Sequence, residues 1–402
     1  MSDRLSEAVA AYRRQLEPEV LAALAVSAAE VPAFAARLAQ AGLSADSVHS
    51  LNQLADLPVL SKDELIATQQ ADPPFGGLIT PNAPIERIFQ SPGPLYEPQL
   101  AGADPWRWAP ALSAAQIGPG DRVLNCFGYH LSPAGAMFEL GCLALGAVVV
   151  PGGIGNQDLQ VQAISAAGIT GYTGLPSYLK ALIDRYEEAG APGPWRLTKA
   201  VVTAEPLPDS LRAQLHRRVP QLRMAYGTAE AGLIAYETAD GHPLRPAPGL
   251  LVEVCDLDTG RPITDREGQV VVTLIRPDYP LVRFGTGDLS AWVLDDDGSP
   301  RLAGVLGRVG QAIKVRGMFL HPRQAAAVLV GAPGLERWRL VVDRHNHRDE
   351  LTCEIVPAVG ADPEAVRAEV AGRIRTGLRF NAEVVVVQAV TNNAELADIR
   401  VW

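Results

Sequence analysis

Four short segments of this chain set a carboxylate or an arginine in a turn-rich setting, three of them beside glycine. They are TAEPLP (203–208), AYGTAEAG (225–232), RFGTGDL (283–289) and GRVGQAIKVRGMFLHP (307–322). Each brings a polar or charged residue to the place where a sheet edge meets a loop, and ligands of α/β folds bind there. Asp288 and Glu230 carry the most weight, because a carboxylate among glycines at a sheet edge contributes little to packing. Carboxylates of this kind can take charge-assisted hydrogen bonds or a hard cation, and arginine offers a planar fork to anions. Zinc chemistry is not indicated. His345 and His347 form an HxH, and His242 and Cys255 stand thirteen residues apart, but neither pair belongs to a set of three or four ligands at zinc spacing.

The elements that must position these segments can be read from periodicity. Residues 3–41 carry apolar positions at helical spacing and close on Gly42. From about 120 to 226, buried-strand runs (RVLNCF, AVVVPG, ITGYTG, KAVVTA, LRMAYG) alternate with amphipathic segments near 134–145, 157–167, 176–189 and 208–219. That alternation predicts an α/β fold with a largely parallel sheet covered by helices. Past residue 248 the chain becomes β-rich with Asp/Gly turns, which predicts a smaller antiparallel sheet or barrel. A compact α+β unit is expected from 307 onward, with helices near 322–330 and 362–379, a hairpin over 338–357 and a strand at 384–390. The expected division is therefore a large domain, 1–306, and a small one, 307–402.

Composition narrows the function classes. With 48% hydrophobic and 20% charged residues in 402, the chain is an ordinary folded protein of more than one domain. A net charge of -10 repels phosphate backbones and anionic lipid, so nucleic acid and membrane are not the expected partners. The charged N-terminus has no apolar core of a signal peptide, and the four cysteines (Cys126, Cys142, Cys255, Cys353) are scattered, so a reducing cytoplasm is expected. Only Lys62, Lys180, Lys199 and Lys314 are lysines among 35 basic residues, which makes each of them informative.

The four segments, in this order, resemble the adenylate-forming superfamily of acyl-CoA synthetases, and most closely its phenylacetate-CoA ligase branch. SLNQLADLPVLSKDEL (50–65) is similar to that branch's N-terminal signature, and GLPSYLKAL (174–182) to the superfamily's GxPS helix start. The resemblance covers nearly the whole chain. It implies a large domain that holds acid and nucleotide, and a small mobile α+β domain that rotates between two half-reactions. It implies ATP, Mg²⁺ and CoA as cofactors, and a small, aromatic carboxylic acid as partner; a homodimer is one expected assembly. By residue, it assigns Glu205, Pro206, Tyr226, Gly227, Thr228, Asp288 and Arg308 to the nucleotide. Tyr226 would stack on adenine, Asp288 would accept from the ribose hydroxyls, and Arg308 would reach the ribose or α-phosphate. Glu230 would hold Mg²⁺, and Glu230, Arg308 and Lys314 form the implied catalytic set. Tyr129 and His130 would flank the acyl site, and Gly310 would be the hinge.

Departures from the family pattern concentrate on phosphate. The family's Ser/Thr/Gly-rich loop ending in lysine is matched by FQSPGPLYEP (89–98), where only Ser91 and Gly93 survive. Pro92, Pro94 and Pro98 each remove an N–H donor, Glu97 brings a negative charge toward where phosphates would sit, and no lysine follows. Ala229 replaces the hydroxyl residue before Glu230. The tail TNNAELADIRVW lacks the family's late lysine and offers Arg400 as its cation. Three readings stay open: a ligase with a variant phosphate cradle, a protein that binds CoA, AMP or an acyl-adenylate without adenylation, or a silent binding subunit.

Overall fold

The computed structural model describes residues 2–91, 95–309, 313–316, 318–320, 322–346, 348–390 and 395–400. The chain divides into two compact units, Met1–Val309 and Gly310–Trp402. The division falls after Arg308 because Gly307–Arg308 is the fourth strand of a sheet of the first unit, pairing antiparallel with Phe284–Ser290.

Residues 122–246 build a seven-stranded sheet. Its order is Val148–Pro151, Arg122–Asn125, Gly171–Gly174, Lys199–Val202, Gln221–Thr228, Gly232–Tyr236, Arg245–Pro246. The first five strands are parallel and the last two antiparallel. Helices Ala134–Ala144, Gln157–Ala166, Pro176–Glu188 and Asp209–His216 connect the parallel strands, within a few residues of the segments predicted from periodicity. The expected α/β class holds. Apolar strands such as Gly171–Gly174 are buried throughout, as a sheet covered on both faces requires.

The β-rich region is a four-stranded antiparallel sheet: Leu250–Cys255, Gly268–Leu274, Phe284–Ser290 and Gly307–Arg308. The N-terminal helices Ser2–Glu30 and Pro32–Gln40 pack on it through a core that includes Val20, Phe34, Leu251 and Val282. Leu60 then joins strand Phe284–Ser290 as a short parallel bridge, with Leu60 N donating to Arg283 O (2.7 Å) and Gly285 N donating to Leu60 O (2.9 Å). This bridge fixes the start of helix Lys62–Ala71, whose capping box is Ser61 with Glu64. Lys62 is thereby held beside the strand that carries Asp288.

The second unit is a four-stranded mixed sheet around the hairpin Leu335–His345/Arg348–Pro357, flanked by parallel strands Glu383–Val386 and Leu396–Asp398. Helices Pro322–Leu329 and Pro363–Arg373 contribute to its own core, with Leu329, Val366 and Val370. Among the described residues no single helix is long and apolar enough to cross a membrane.

Candidate active site

Register brings together Asp288, Arg308 and Tyr226, the residues that the resemblance assigns to the nucleoside. Asp288 and Arg308 are direct partners across two antiparallel strands, and Arg308 Nη1 lies 3.4 Å from Asp288 Oδ1. The Tyr226 hydroxyl donates to Asp288 Oδ2 (2.8 Å) from the end of strand Gln221–Thr228. Asp288 is buried, and the Thr286 hydroxyl accepts from its backbone N–H. Gly287 explains how the arginine can lie so close. Its φ is +78°, and a Cβ there would sit 3.0 Å from Arg308 Nη2. Gly227 has a steric reason of its own, since an added Cβ would meet Gly232 O at 2.5 Å and Trp108 Cζ2 at 2.9 Å. Tyr226 itself is buried, and its hydroxyl anchors the carboxylate.

A second cluster forms around Glu230. Its carboxylate is buried, and Lys62 Nζ lies 2.5 Å from Oε1. Burial alone would raise the pKa of Glu230, but the Lys62 ammonium draws it below the ordinary carboxylate value, helped by the Thr228 hydroxyl. Thr228 also accepts from Ala231 N–H (3.1 Å), so its hydroxyl is engaged with its own turn. An ionised buried carboxylate with hydroxyl support is the hard oxygen donor that Mg²⁺ takes, so the residues present fit that ion.

Glu97 is coupled electrostatically to Glu230 and Lys62. It lies on strand Leu95–Leu100, paired opposite Phe89 of Ile85–Ser91, and only 1% of it is exposed. Helix Lys62–Ala71 fixes it: Gln69 donates to Tyr96 O and accepts from Tyr96 N, both at 2.8 Å. One helix therefore positions Lys62 at its start and the Glu97 strand at its end. Burial pushes the Glu97 carboxyl well above its ordinary pKa, and the neighbouring Glu230 charge adds to the rise.

The remaining predicted residues are placed as follows. Glu205 is buried after Ala204, whose φ is +71°, and accepts from the Ser177 hydroxyl at 2.5 Å; Pro206 is exposed. The Tyr129 hydroxyl accepts from Asn125 Nδ2 (2.8 Å), with Phe127, Phe138 and Trp108 in a run of ring contacts at 4.5 and 4.0 Å. His130 is exposed. Ser91 is buried, while Gly93 and Gly310 lie outside the described residues. Lys314 is on strand Ile313–Val315, but its side chain lies outside the description. Arg400 is tied within the second unit to Asp349 (3.1 Å) and Asp398 (2.5 Å).

Sequence reading did not place Lys62 in the site. Its scarcity was the signal available: Lys180 and Lys199 pair with Asp184 and Asp121, which leaves Lys62 as the lysine beside a buried glycine-flanked carboxylate. Reading also missed that His242, Asp295 and Asp296 converge. There Asp295 is already bonded to His242 and Arg301.

The family model described as AMP-binding enzyme matches residues 106–273, which include Glu205, Tyr226 and Glu230. Over that segment the chain is similar to AMP-binding enzymes. Along most of its length the chain is similar to phenylacetate-coenzyme A ligases of Thermus thermophilus (28% identical over 365 residues, covering 85% of this chain and 81% of the relative) and Pseudomonas putida (27% over 379 residues, 88% and 85%). Among solved structures, 2-hydroxyisobutyryl-CoA ligase in complex with 2-HIB-AMP and CoA in the thioesterification state superposes with a TM-score of 0.85. That match covers 96% of this chain and 90% of the other at 23% identity, and it shows a shared fold.

Proposed function

We propose that this protein activates a small carboxylic acid as its acyl-adenylate and transfers the acyl group to CoA. The observation that carries the proposal is the triad of Tyr226, Asp288 and Arg308, in which Tyr226 and Asp288 are buried. There a carboxylate is fixed by a hydroxyl and a guanidinium at the strand ends where a nucleotide would lie. In this reading Asp288 accepts from ribose hydroxyls, Arg308 reaches the ribose or α-phosphate, and Tyr226 lies under the adenine. Glu205 and Thr228 line the nucleotide. Glu230 holds the divalent ion, which would offset charge growing on the α-phosphate. An aromatic acid is supported by the relatives named for phenylacetate.

One observation favours a second reading. The carboxyl of Glu97 is buried and feels the Glu230 charge, and the loop leading to it carries no lysine of the kind the family pattern sets against the β- and γ-phosphates. In that reading the protein takes CoA, AMP or a preformed acyl-adenylate and does not adenylate. The deciding measurement is pyrophosphate release with ATP, Mg²⁺ and a panel of aryl and small aliphatic acids, followed by thioester formation on adding CoA. Acid-dependent release supports the ligase. Silence with every acid, together with tight AMP binding, rejects it in favour of the second reading.

A further inference from the structure

Adenylation needs positive charge where pyrophosphate departs. The loop over 89–98 carries no lysine, and Pro92, Pro94 and Pro98 offer it no N–H. The cation of the tail, Arg400, is committed inside the second unit. Its guanidinium lies 3.1 Å from Asp349 and 2.5 Å from Asp398, and its side chain is 6% exposed. In the first unit, Lys180 and Lys199 pair with Asp184 and Asp121. Lys62 is placed otherwise. Its Nζ lies 2.5 Å from Glu230 Oε1, and its side chain is 30% exposed where that of Glu230 is 3% exposed. The ammonium thus stands on the open side of a carboxylate that is otherwise closed off. Its position is also built. Leu60 is bonded to Arg283 and Gly285, Ser61 caps the helix with Glu64, and Gln69 of the same helix clasps Tyr96, on the strand that follows the loop.

We propose that Lys62 is a catalytic residue of adenylation, its ammonium leaving Glu230 for the β- and γ-phosphates of ATP and neutralising the departing pyrophosphate. The inference rests on the ligase reading and adds to it the source of this cation. In the step, a carboxylate oxygen of the acid bonds to the α-phosphorus as the bond to the bridging oxygen breaks, and pyrophosphate leaves with that electron pair. Lys62 keeps its protons and exchanges only hydrogen bonds. A lysine is a compact charge on a flexible stem, so trading a carboxylate for a phosphate takes a side-chain rotation and no domain movement. The cation of the first half-reaction then belongs to the first unit, Met1–Val309.

Two measurements test it. In the first, the wild-type protein is treated with an amine-acylating reagent in Mg²⁺, and modification of Lys62 is read by mass spectrometry. ATP should protect Lys62 about tenfold better than AMP, because only ATP gives the ammonium a β,γ tail to hold. Equal protection by the two nucleotides, or none by either, overturns the proposal, and this arm needs neither turnover nor a variant. In the second, Lys62→Met is assayed at saturating Mg²⁺, with AMP binding as the check that it is folded. Acid-dependent pyrophosphate release should fall roughly a hundredfold, the loss expected when one preorganised donor is removed from a transition state. Thioester formation from supplied acyl-adenylate and CoA should stay within about threefold, since that step holds no pyrophosphate. A lysine that merely neutralises Glu230 gives a different result: release recovers once Mg²⁺ occupies that carboxylate, or both half-reactions fall together. Either outcome overturns the proposal. If the wild type releases no pyrophosphate with any acid, the ligase reading fails, and the labelling still decides whether Lys62 holds the phosphates.

Discussion

The two halves of the proposed nucleotide region are built on opposite principles. On the side proposed for adenosine, Asp288 spends both oxygens, on Tyr226 and Arg308, and adjacent strands set the geometry. On the side proposed for phosphate, Lys62, Glu97 and Glu230 come from three distant parts of the chain, and two carboxyls feel the charge of one lysine. The first half has few ways to rearrange. The second is a charge balance that a ligand or a single substitution can tip. Recognition of the nucleoside and handling of its phosphates can therefore diverge within one fold.

The sharpest way to break the contrast is Lys62→Met. Removing one partner of a largely buried pair leaves Glu230 uncompensated, which should cost ~3 kcal/mol of stability by urea unfolding. Adding Glu230→Gln should return most of it. A loss below ~0.5 kcal/mol would show that the pair behaves like a surface contact.

Asp288→Ala tests the other half. AMP and ATP should both weaken, by ~2 kcal/mol or roughly thirtyfold, since each loses the same charge-assisted bond. Calorimetry showing unchanged AMP affinity would remove the adenosine assignment.

Glu97→Lys should discriminate between ligands. ATP should improve by about tenfold, one charge-assisted contact, while AMP stays within twofold. Equal improvement of both would place Glu97 away from the polyphosphate.

The smallest effect is a pH slope. Folded Glu97 has a raised pKa, so the folded state keeps a proton that the unfolded chain has released above about 4.5. Stability of the wild type should fall relative to Glu97→Gln as pH rises from 4.5 toward that raised value. Glu230 has the opposite sign: its contribution is present above about 4.5 and is lost as pH falls. Parallel stability curves for wild type and Glu97→Gln between pH 5 and 8 would contradict the buried-carboxyl description.

The contrast also explains what the sequence could reveal. Asp288 and Tyr226 sit in glycine-marked strand ends, and Arg308 follows by register from its own short motif, so local pattern was enough to group them. Helix and strand limits across 122–228 were legible because the buried strands and amphipathic helices have different periods. The neighbourhood of Glu230 was not. Lys62 reaches it across 168 positions of sequence, and Glu97 looked like a charge aimed at ligand phosphates when it is in fact a buried strand residue. Nothing local in SKDEL or PLYEP states which distant side chain each will meet.

The bridge between Leu60 and strand Phe284–Ser290 has a consequence for how the molecule is made. Arg37 also bonds Val282 O, 245 residues along the chain, and Ser27 bonds Pro277 O, 250 residues along. During synthesis at ~5–20 residues per second, the first sixty residues wait about 10–45 s before residue 285 is added. Loops this long make late, slow contacts. The parallel strands between can assemble first, and the N-terminal helices, made earliest, are among the last parts to dock. Until they do, Lys62 is absent from its carboxylate, so the ion-pair centre is completed only when the large unit closes on its own beginning.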